Sequence, residues 1–442
     1  MRTGRIEGPG APPAARLAIA PAAALVGAAA VPGNKGSSQR AALLAAVADG
    51  ESRIRGFGRA ADTVTALDAA RTLGGDVADG GDDDIRIRGA GLRGLRAATV
   101  DCGNAGTVLR LLCGLLAGQE GRRFELVGDD SLSARPHERA AEPLRRMGAR
   151  IETTDGHAPV RIQGAALTPI TYELPVASAQ VKSAILLAGL YAERGPTTVV
   201  EPHPTRDHTE RMLQGLGVRL RRTERSVSVW PVERLPPLDL DIPGDISSAA
   251  PLIAAAVLLN GSELILQNVN VNPLRTGLLD VLERMGARIA LFNRRIVGGE
   301  PVADLEVRSS PLVATTVEHA EVPRLVDELP LVALLGAMAR GTTVVRGAAE
   351  LRAKETDRIE TVTQALRAIG VRIEARADGF VVRGTPARPR GGTVAARGDH
   401  RIAMLGAVAG LVSREGVRIE DPECVAVSFP GFYELLDQLA QR

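Results

Sequence analysis

Leu282-Glu283-Arg284-Met285-Gly286-Ala287-Arg288-Ile289 repeats Leu144-Arg145-Arg146-Met147-Gly148-Ala149-Arg150-Ile151 almost letter for letter, and Leu366-Arg367-Ala368-Ile369-Gly370-Val371-Arg372-Ile373 keeps the same spacing. Each octet reads as the end of an amphipathic helix, a Gly that stops it, and the first residues of a strand. Self-similarity at long intervals marks a chain built from one supersecondary unit used repeatedly. Around the octets one plan recurs six times: a small-residue start, an apolar helix, a Gly, a β-rich strand, a loop, a second helix, a Gly and another strand. The starts fall near Gly33, Gly103, Ala177, Gly244, Val326 and Gly398. The spacing predicts first helices over Arg40–Val47, Thr107–Leu116, Val181–Tyr191, Ser247–Leu259, Leu329–Met338 and Arg401–Val412. Stretches such as Thr197-Thr198-Val199-Val200 and Thr342-Thr343-Val344-Val345 have the β-branched character of half-buried strands. The sixth unit stops after Tyr433–Gln441 with no closing strand, and Leu17–Ile19 is an orphan strand at the other end, so the N-terminus is expected to complete the last unit. The fold class is therefore α/β (α+β) in two similar domains of three units. One is discontinuous, 17–33 plus 244–442, and encloses a continuous one, 34–243. Residues 1–16, rich in Pro, Gly and Ala, read as a flexible tail.

The 442 residues carry 54 basic and 52 acidic side chains and ten aromatics. That balance gives no basic footprint for nucleic acid and no stacking platform for single strands. No apolar run reaches the roughly 18 residues of a membrane span. Three Cys without metal-ligand spacing make neither a disulfide framework nor a metal site, and Cys102, Cys113 and Cys424 read as small core residues. A cytoplasmic protein is expected. The Ala-rich stretch Leu17–Val31 imitates a signal peptide, but Pro21 interrupts it and cleavage near Ala30 would fall just before Lys35, so export is set aside.

Of the 54 basic residues 51 are Arg, and only Lys35, Lys182 and Lys354 are Lys. In a chain that writes positive charge as Arg, a surviving Lys points to work that a planar guanidinium cannot do. All three lie at or before starts of apolar helices, where free backbone N–H groups and the helix dipole favour anions and disfavour cations. Lys35, Arg40, Lys182 and Arg401 are thus placed against helix stability, which points to a cleft where helix ends gather anions.

The six-unit plan and seven ordered segments resemble the 5-enolpyruvylshikimate-3-phosphate synthase (3-phosphoshikimate 1-carboxyvinyltransferase) family over residues 17–436. The segments are Asp101-Cys102-Gly103-Asn104-Ala105-Gly106-Thr107, Ala134-Arg135-Pro136, Ser178-Ala179-Gln180-Val181-Lys182-Ser183, the run from Glu201 to Glu210, Asp327-Glu328-Leu329-Pro330, Lys354-Glu355-Thr356-Asp357-Arg358, and Asp399-His400-Arg401-Ile402-Ala403-Met404. The resemblance implies two domains of three βαβαββ units that close over their substrates, and transfer of the enolpyruvyl group of phosphoenolpyruvate to the 5-hydroxyl of shikimate 3-phosphate with release of phosphate, in the pathway to chorismate. It implies no cofactor, no metal and no macromolecular partner, and we expect a monomer that is open until anions neutralise the converging positive ends. By matched position, Lys35, Gly106, Arg135, Gln180, Arg358 and Arg401 look like the phosphoenolpyruvate site. Lys35, Gly36, Arg40, Ser178, Ala179, Gln180, Arg206, Asp327 and Lys354 look like contacts to shikimate 3-phosphate. Addition to an enol ether needs a base for the attacking hydroxyl and an acid for the methylene carbon, reversed on elimination. The resemblance makes Asp327 the first, and Glu355 with Lys35 the second. On residues alone, Asp327 also fits a helix cap and Glu355 an i,i+3 partner of Arg358. His208 and His400 are expected to orient neighbours rather than to react.

The match departs at Asn34, where family members usually carry Asp or Ser, at Gly36, where a Ser hydroxyl is usual, and at Val427, where some carry Lys; the missing hydroxyl implies either weaker binding or a substitute in Ser37 or Ser38. The Ser-Ala-Gln-Val-Lys and Arg-Asp-His-Thr-Glu segments resemble the glyphosate-tolerant branch, from which Asn34 and Gly36 depart. One rival is the homologous transferase acting on UDP-N-acetylglucosamine, which uses a Cys where this chain has Gly128-Asp129-Asp130-Ser131-Leu132-Ser133. The other is a non-catalytic anion-binding paralogue.

Overall fold

Helices buried on nearly every side form a core rather than a surface. In the computed structural model, which describes residues 15–81 and 84–442, six such helices form the interior: α1 (Lys35–Ala46), α2 (Gly106–Ala117), α3 (Ala179–Gly189), α4 (Ile246–Leu258), α5 (Leu329–Met338) and α6 (His400–Val412). Five of them begin one to five residues before the position expected from periodicity. Side-chain caps explain four of these extensions: Asn34 Oδ1 accepts the Ser37 N–H at 2.8 Å, Ser178 the Val181 N–H at 3.4 Å, and Asp245 and Asp399 the N–H groups of Ser247 and Arg401 at 2.9 Å. Lys35, Gly36 and Arg40 therefore stand on the first turns of α1, not ahead of it.

The sheets lie outside the helices. In the second unit, Thr99–Asp101 runs parallel to Arg123–Val127, which pairs antiparallel with His157–Gln163, which in turn pairs with Arg150–Thr154. Each unit is thus a strand, its helix, a second strand, a second helix and a hairpin. The unit read from the residues lacked the return strand of the hairpin and the leading strand. The latter is two to seven residues long, and its partner lies across a whole helix. At the two chain crossings the leading strands trade places. Ala24–Ala30, ahead of α1, pairs with Glu263–Asn270 of the fourth unit, whereas Asp239–Asp241, ahead of α4, pairs with Glu51–Arg55 of the first. Arg16–Ile19 pairs antiparallel with Val417–Glu420 and so completes the sixth unit, as expected. The chain end adds a two-residue strand after all, Ala440–Gln441, but against Ala24 and Leu25. Of the expected tail, residues 1–14 lie outside the described residues, and Arg16 is already in a sheet.

Buried apolar side chains fall into two clusters, one drawn from Ala41 to Ile242, the other from Ala22–Val31 together with Ile246–Leu439. Between these two halves the crossings run side by side: Asn34 N–H donates to Pro243 O at 2.8 Å and Asp245 N–H to Pro32 O at 2.9 Å. A Cβ on Gly33 would stand 1.9 Å from Gly56 O, so only Gly fits there. Among the described residues no helix is long and apolar enough to cross a membrane.

Candidate active site

The N-terminal ends of α1–α6 converge on one cleft between the halves, open to solvent. It is lined by every residue that the resemblance assigns to a substrate or to catalysis, from Lys35 and Gly36 to Arg401. In the first half the ends are capped by neutral Asn34 and Ser178 or by no side chain at Ala105. In the second half Asp245 and Asp399 cap α4 and α6 with carboxylates. Asp245 also takes the Lys35 N–H at the start of α1, so in the first half the ends without a carboxylate are those of α2 and α3. Gly106 opens α2; a Cβ there would lie 3.1 Å from Arg110 Nη1 and 3.3 Å from Arg135 Nη1.

Arg358 is the hub. It is 1% exposed, and its guanidinium reaches three carboxylates: Asp399 at 2.8 and 3.2 Å, Glu355 at 2.5 Å and Asp327 at 3.2 Å. Burial alone would lower its affinity for the proton, but Asp399 and Glu355 more than reverse that and raise it. Asp327 caps nothing, since Glu328 holds the capping position of α5. Instead Asp327 accepts from Arg206 Nη2 at 2.7 Å and from Arg358. Burial pushes its pKa up, yet Arg206, Lys354, Arg401 and Arg358 together hold it well below the usual carboxylate range. Glu355 precedes the helix Arg358–Ala368 and pairs with Arg358 at i,i+3, as one residue-level reading expected. Burial raises its pKa as well, and Arg358, His400, Arg135 and Lys35 outweigh that.

Around this hub Lys35 Nζ donates to Asp62 at 2.8 Å and its N–H to Asp245 at 3.0 Å. Arg40 is held by Thr209 Oγ1 (2.7 Å), Gly36 O (2.9 Å) and Ser183 Oγ (3.3 Å), and burial brings its pKa to about 10. Arg135 is fixed by both oxygens of Asn104 and by Ser131 Oγ, 3.9 Å from Glu355. Gln180 Nε2 donates to Thr107 and its carbonyl accepts from Arg110. Lys354 Nζ lies 3.4 Å from Glu350, and Arg401 Nη1 donates to Ser247 O at 2.8 Å. Neutral His400 lies in the lining, its pKa driven well below the ordinary value by burial and by Lys35 and Arg401.

Three expectations are corrected. Lys182 is not in the cleft: it is fully buried between Glu201 and Glu210. Neither Ser37 nor Ser38 replaces the hydroxyl missing at Gly36, because both are buried beneath α1, where Ser38 Oγ accepts the Gly58 N–H at 3.0 Å. The halves are not apart: Arg206 meets Asp327, Arg135 faces Glu355 and Arg139 stands 3.9 Å from Glu350 across the cleft. Opposite charges on facing walls make that arrangement favourable. Sequence reasoning also missed Arg110, Arg139 and Arg275. Arg110, buried and brought to about 9 by desolvation with Arg139 and Arg135 beside it, lies one turn after Gly106 on α2. That i,i+4 spacing was the available signal. Arg275 sits in a loop outside every recognisable segment, and it donates to Asp245 at 2.9 Å. His208 Nδ1 bonds Glu300 at 2.7 Å, across the halves and away from the carboxylate hub. Cys102 and Cys113 are buried, and burial raises the Cys113 thiol to about 12, which leaves it unreactive.

The chain matches the family described as EPSP synthase (3-phosphoshikimate 1-carboxyvinyltransferase) over residues 19–436. It is 49% identical over 432 residues to the 3-phosphoshikimate 1-carboxyvinyltransferase of Geobacter sulfurreducens, covering 96% of this chain and 99% of that one. To the protein of the same name from Salinibacter ruber it is 46% identical over 424 residues, covering 95% and 98%. An EPSP synthase structure from Acinetobacter baumannii superposes with TM-score 0.85 at 40% identity, covering 96% of this chain and 98% of that one. The enolpyruvyl transferase NikO from Streptomyces tendae shares the fold, with TM-score 0.77 at 23% identity over 97% and 98%.

Proposed function

This chain belongs to the EPSP synthase (3-phosphoshikimate 1-carboxyvinyltransferase) family, and from that membership we propose that its cleft moves the enolpyruvyl group of phosphoenolpyruvate onto the 5-hydroxyl of shikimate 3-phosphate by addition and elimination. The observation that carries the assignment of roles is Arg358, one buried guanidinium shared by the two carboxylates that the chemistry needs, Asp327 and Glu355. Lys35, Arg135, Arg358 and Arg401, with Gly106 and Gln180, form the clamp for phosphoenolpyruvate. Arg40, Ser178, Ala179, Gln180, Arg206 and Lys354, with Lys35 and the main chain of Gly36, hold shikimate 3-phosphate between α1, α3 and the Arg206 loop.

In the addition step Asp327 takes the proton of the 5-hydroxyl as its oxygen bonds to C2 of phosphoenolpyruvate, and Glu355 or Lys35 gives a proton to C3. In the elimination step a proton leaves the same methyl group, the C2–O bond to phosphate breaks, and phosphate departs. Both carboxylates sit far below a working pKa while Arg206, Arg358 and their neighbours point at them. Substrate phosphate and carboxylate groups compete for those same cations. Binding therefore weakens the hold on Asp327 and Glu355 and raises both toward the range where proton transfer is efficient. The anions thus switch on the acid and base that act on them. Alone in the cytoplasm, a monomer of this kind needs no partner beyond its two substrates.

Phosphate release from the purified protein with phosphoenolpyruvate, with and without shikimate 3-phosphate, tests this. Release that requires shikimate 3-phosphate and collapses in Lys35→Ala and Glu355→Ala is expected. Shikimate 3-phosphate binding with no release would instead mean an anion-binding protein.

A further inference from the structure

We propose that Lys182 is a positioning residue, one that fixes the Glu201–Glu210 segment from beneath and thereby sets Arg206 for shikimate 3-phosphate. This rests on Arg206 being a contact of that substrate. Lys182 lies on α3 four residues after Ser178, with its side chain wholly buried behind the cleft wall. An ammonium has three N–H donors. Three oxygens surround this one: it donates to Glu201 Oε2 at 3.1 Å and to the carbonyl oxygen of Thr205 at 3.3 Å, and Glu210 Oε1 stands 2.7 Å away as its ion partner. The other oxygen of Glu201 accepts both the N–H of Thr205, at 3.1 Å, and its hydroxyl.

Thr205 is therefore held at its N–H, its hydroxyl and its C=O by one lysine–glutamate pair. The next residue is Arg206, whose Nη2 reaches Asp327 across the cleft at 2.7 Å. Glu210 ties the second end of the segment, on the helix His208–Gly215 whose Thr209 hydroxyl accepts from Arg40 at 2.7 Å. One buried cation thus anchors the supports of two guanidiniums assigned to the same substrate. Arg does not replace it, because a planar fork cannot serve three oxygens gathered around a point as a compact ammonium does. A chain with 51 Arg and three Lys keeps Lys here for that reason.

The test is a double-mutant cycle on the full-length protein, read by calorimetric binding of shikimate 3-phosphate and by steady-state kinetics in both substrates. Lys182→Arg and Arg206→Gln are each expected to weaken binding roughly tenfold to hundredfold, the scale of an ångström-sized misplacement. The double variant should be weakened by clearly less than the product of the two single effects, since Lys182 acts mainly through Arg206 and otherwise through the Thr209 support of Arg40. KM for shikimate 3-phosphate should rise while KM for phosphoenolpyruvate stays within about twofold. A double variant weakened by the product of the two single effects, or equal rises in both KM values, would overturn the proposal. Should Lys182→Arg fail to fold, Glu201→Gln, which keeps the volume and one acceptor, runs the same cycle. Binding without turnover in the unmodified protein would sink the transferase reading and leave the cycle readable. Normal turnover with additive losses would sink only the role of Lys182.

Discussion

Arg358 shows why single residues here resist a one-role description. Its guanidinium is at once the ion partner of Glu355, a donor to Asp327 and a bidentate ligand of Asp399. Replacing Glu355 by Gln keeps that packing and removes a titrating group. A kcat lower by about 10² to 10⁴, with affinity for phosphoenolpyruvate changed by less than about tenfold, is expected. Single-turnover rates beside calorimetry check it; weakened binding at unchanged kcat would make Glu355 a scaffold only. His137 offers a prediction of a different kind. Burial, with Arg110 and Arg135 nearby, brings its pKa to about 4. The unfolded chain binds this proton below roughly pH 6.5, and the folded chain does not, so stability is complete above that pH and lost as pH falls toward the folded value. At pH 5 the loss is about 2 kcal/mol from His137 alone, with His400 adding in the same direction. Urea unfolding midpoints at pH 5 and 7.5 measure it, and a His137→Asn variant should have the shallower dependence.

Elements place these residues, and the placement depends on where each chain crossing turns. Gly33 packs against Gly56 O so closely that Gly33→Ala must move the strand after α1 or the first turn of α1 itself, two residues from Lys35. Gly121, with φ of 75° and open space around it, is the control, expected to cost about 1 kcal/mol as Ala. Gly33→Ala should cost more in urea unfolding and also lower kcat/KM; equal losses with intact kinetics would show that the crossing is not coupled to the site. The first helices were legible from sequence because their apolar runs are long and Gly-terminated. The first strand of each hairpin was legible because the octets repeat, whereas the return strand, which carries no repeated octet, was not. Leading strands such as Thr316–Val317 were not, since two residues carry no period and their pairing is decided by sheet edges distant in sequence. The exchange of Ala24–Ala30 with Asp239–Asp241 was hidden for the same reason. In the site, charged residues inside recognisable segments could be read, whereas Arg139 and Arg275, standing outside them, needed the fold. Lys182 misled because burial, which no spacing reveals, took it out of the cleft.

At the scale of the molecule the charge balance is deceptive. The chain carries a net charge of only +2, yet ten Lys and Arg side chains against five carboxylates line the cleft, an excess of five. The rest of the chain, buried charges included, is therefore net negative by about three, and positive charge is concentrated at one opening. Both proposed substrates carry a phosphate and a carboxylate, roughly six negative charges together at neutral pH, close to what the cleft holds in excess. Their capture should then be governed by long-range attraction that salt screens within a Debye length of about 8 Å at physiological ionic strength. We expect kcat/KM for shikimate 3-phosphate to fall by at least roughly tenfold between about 0.02 and 0.5 M monovalent salt, with kcat changing much less. Glu350→Gln, which adds one unit to the excess, should steepen the dependence. Arg139→Gln should flatten it, with both variants converging on the unmodified protein at high salt. A kcat/KM indifferent to salt would mean that the carboxylates facing Arg206, Arg135 and Arg139 across the cleft already neutralise it locally, so that the substrates are recognised only on contact.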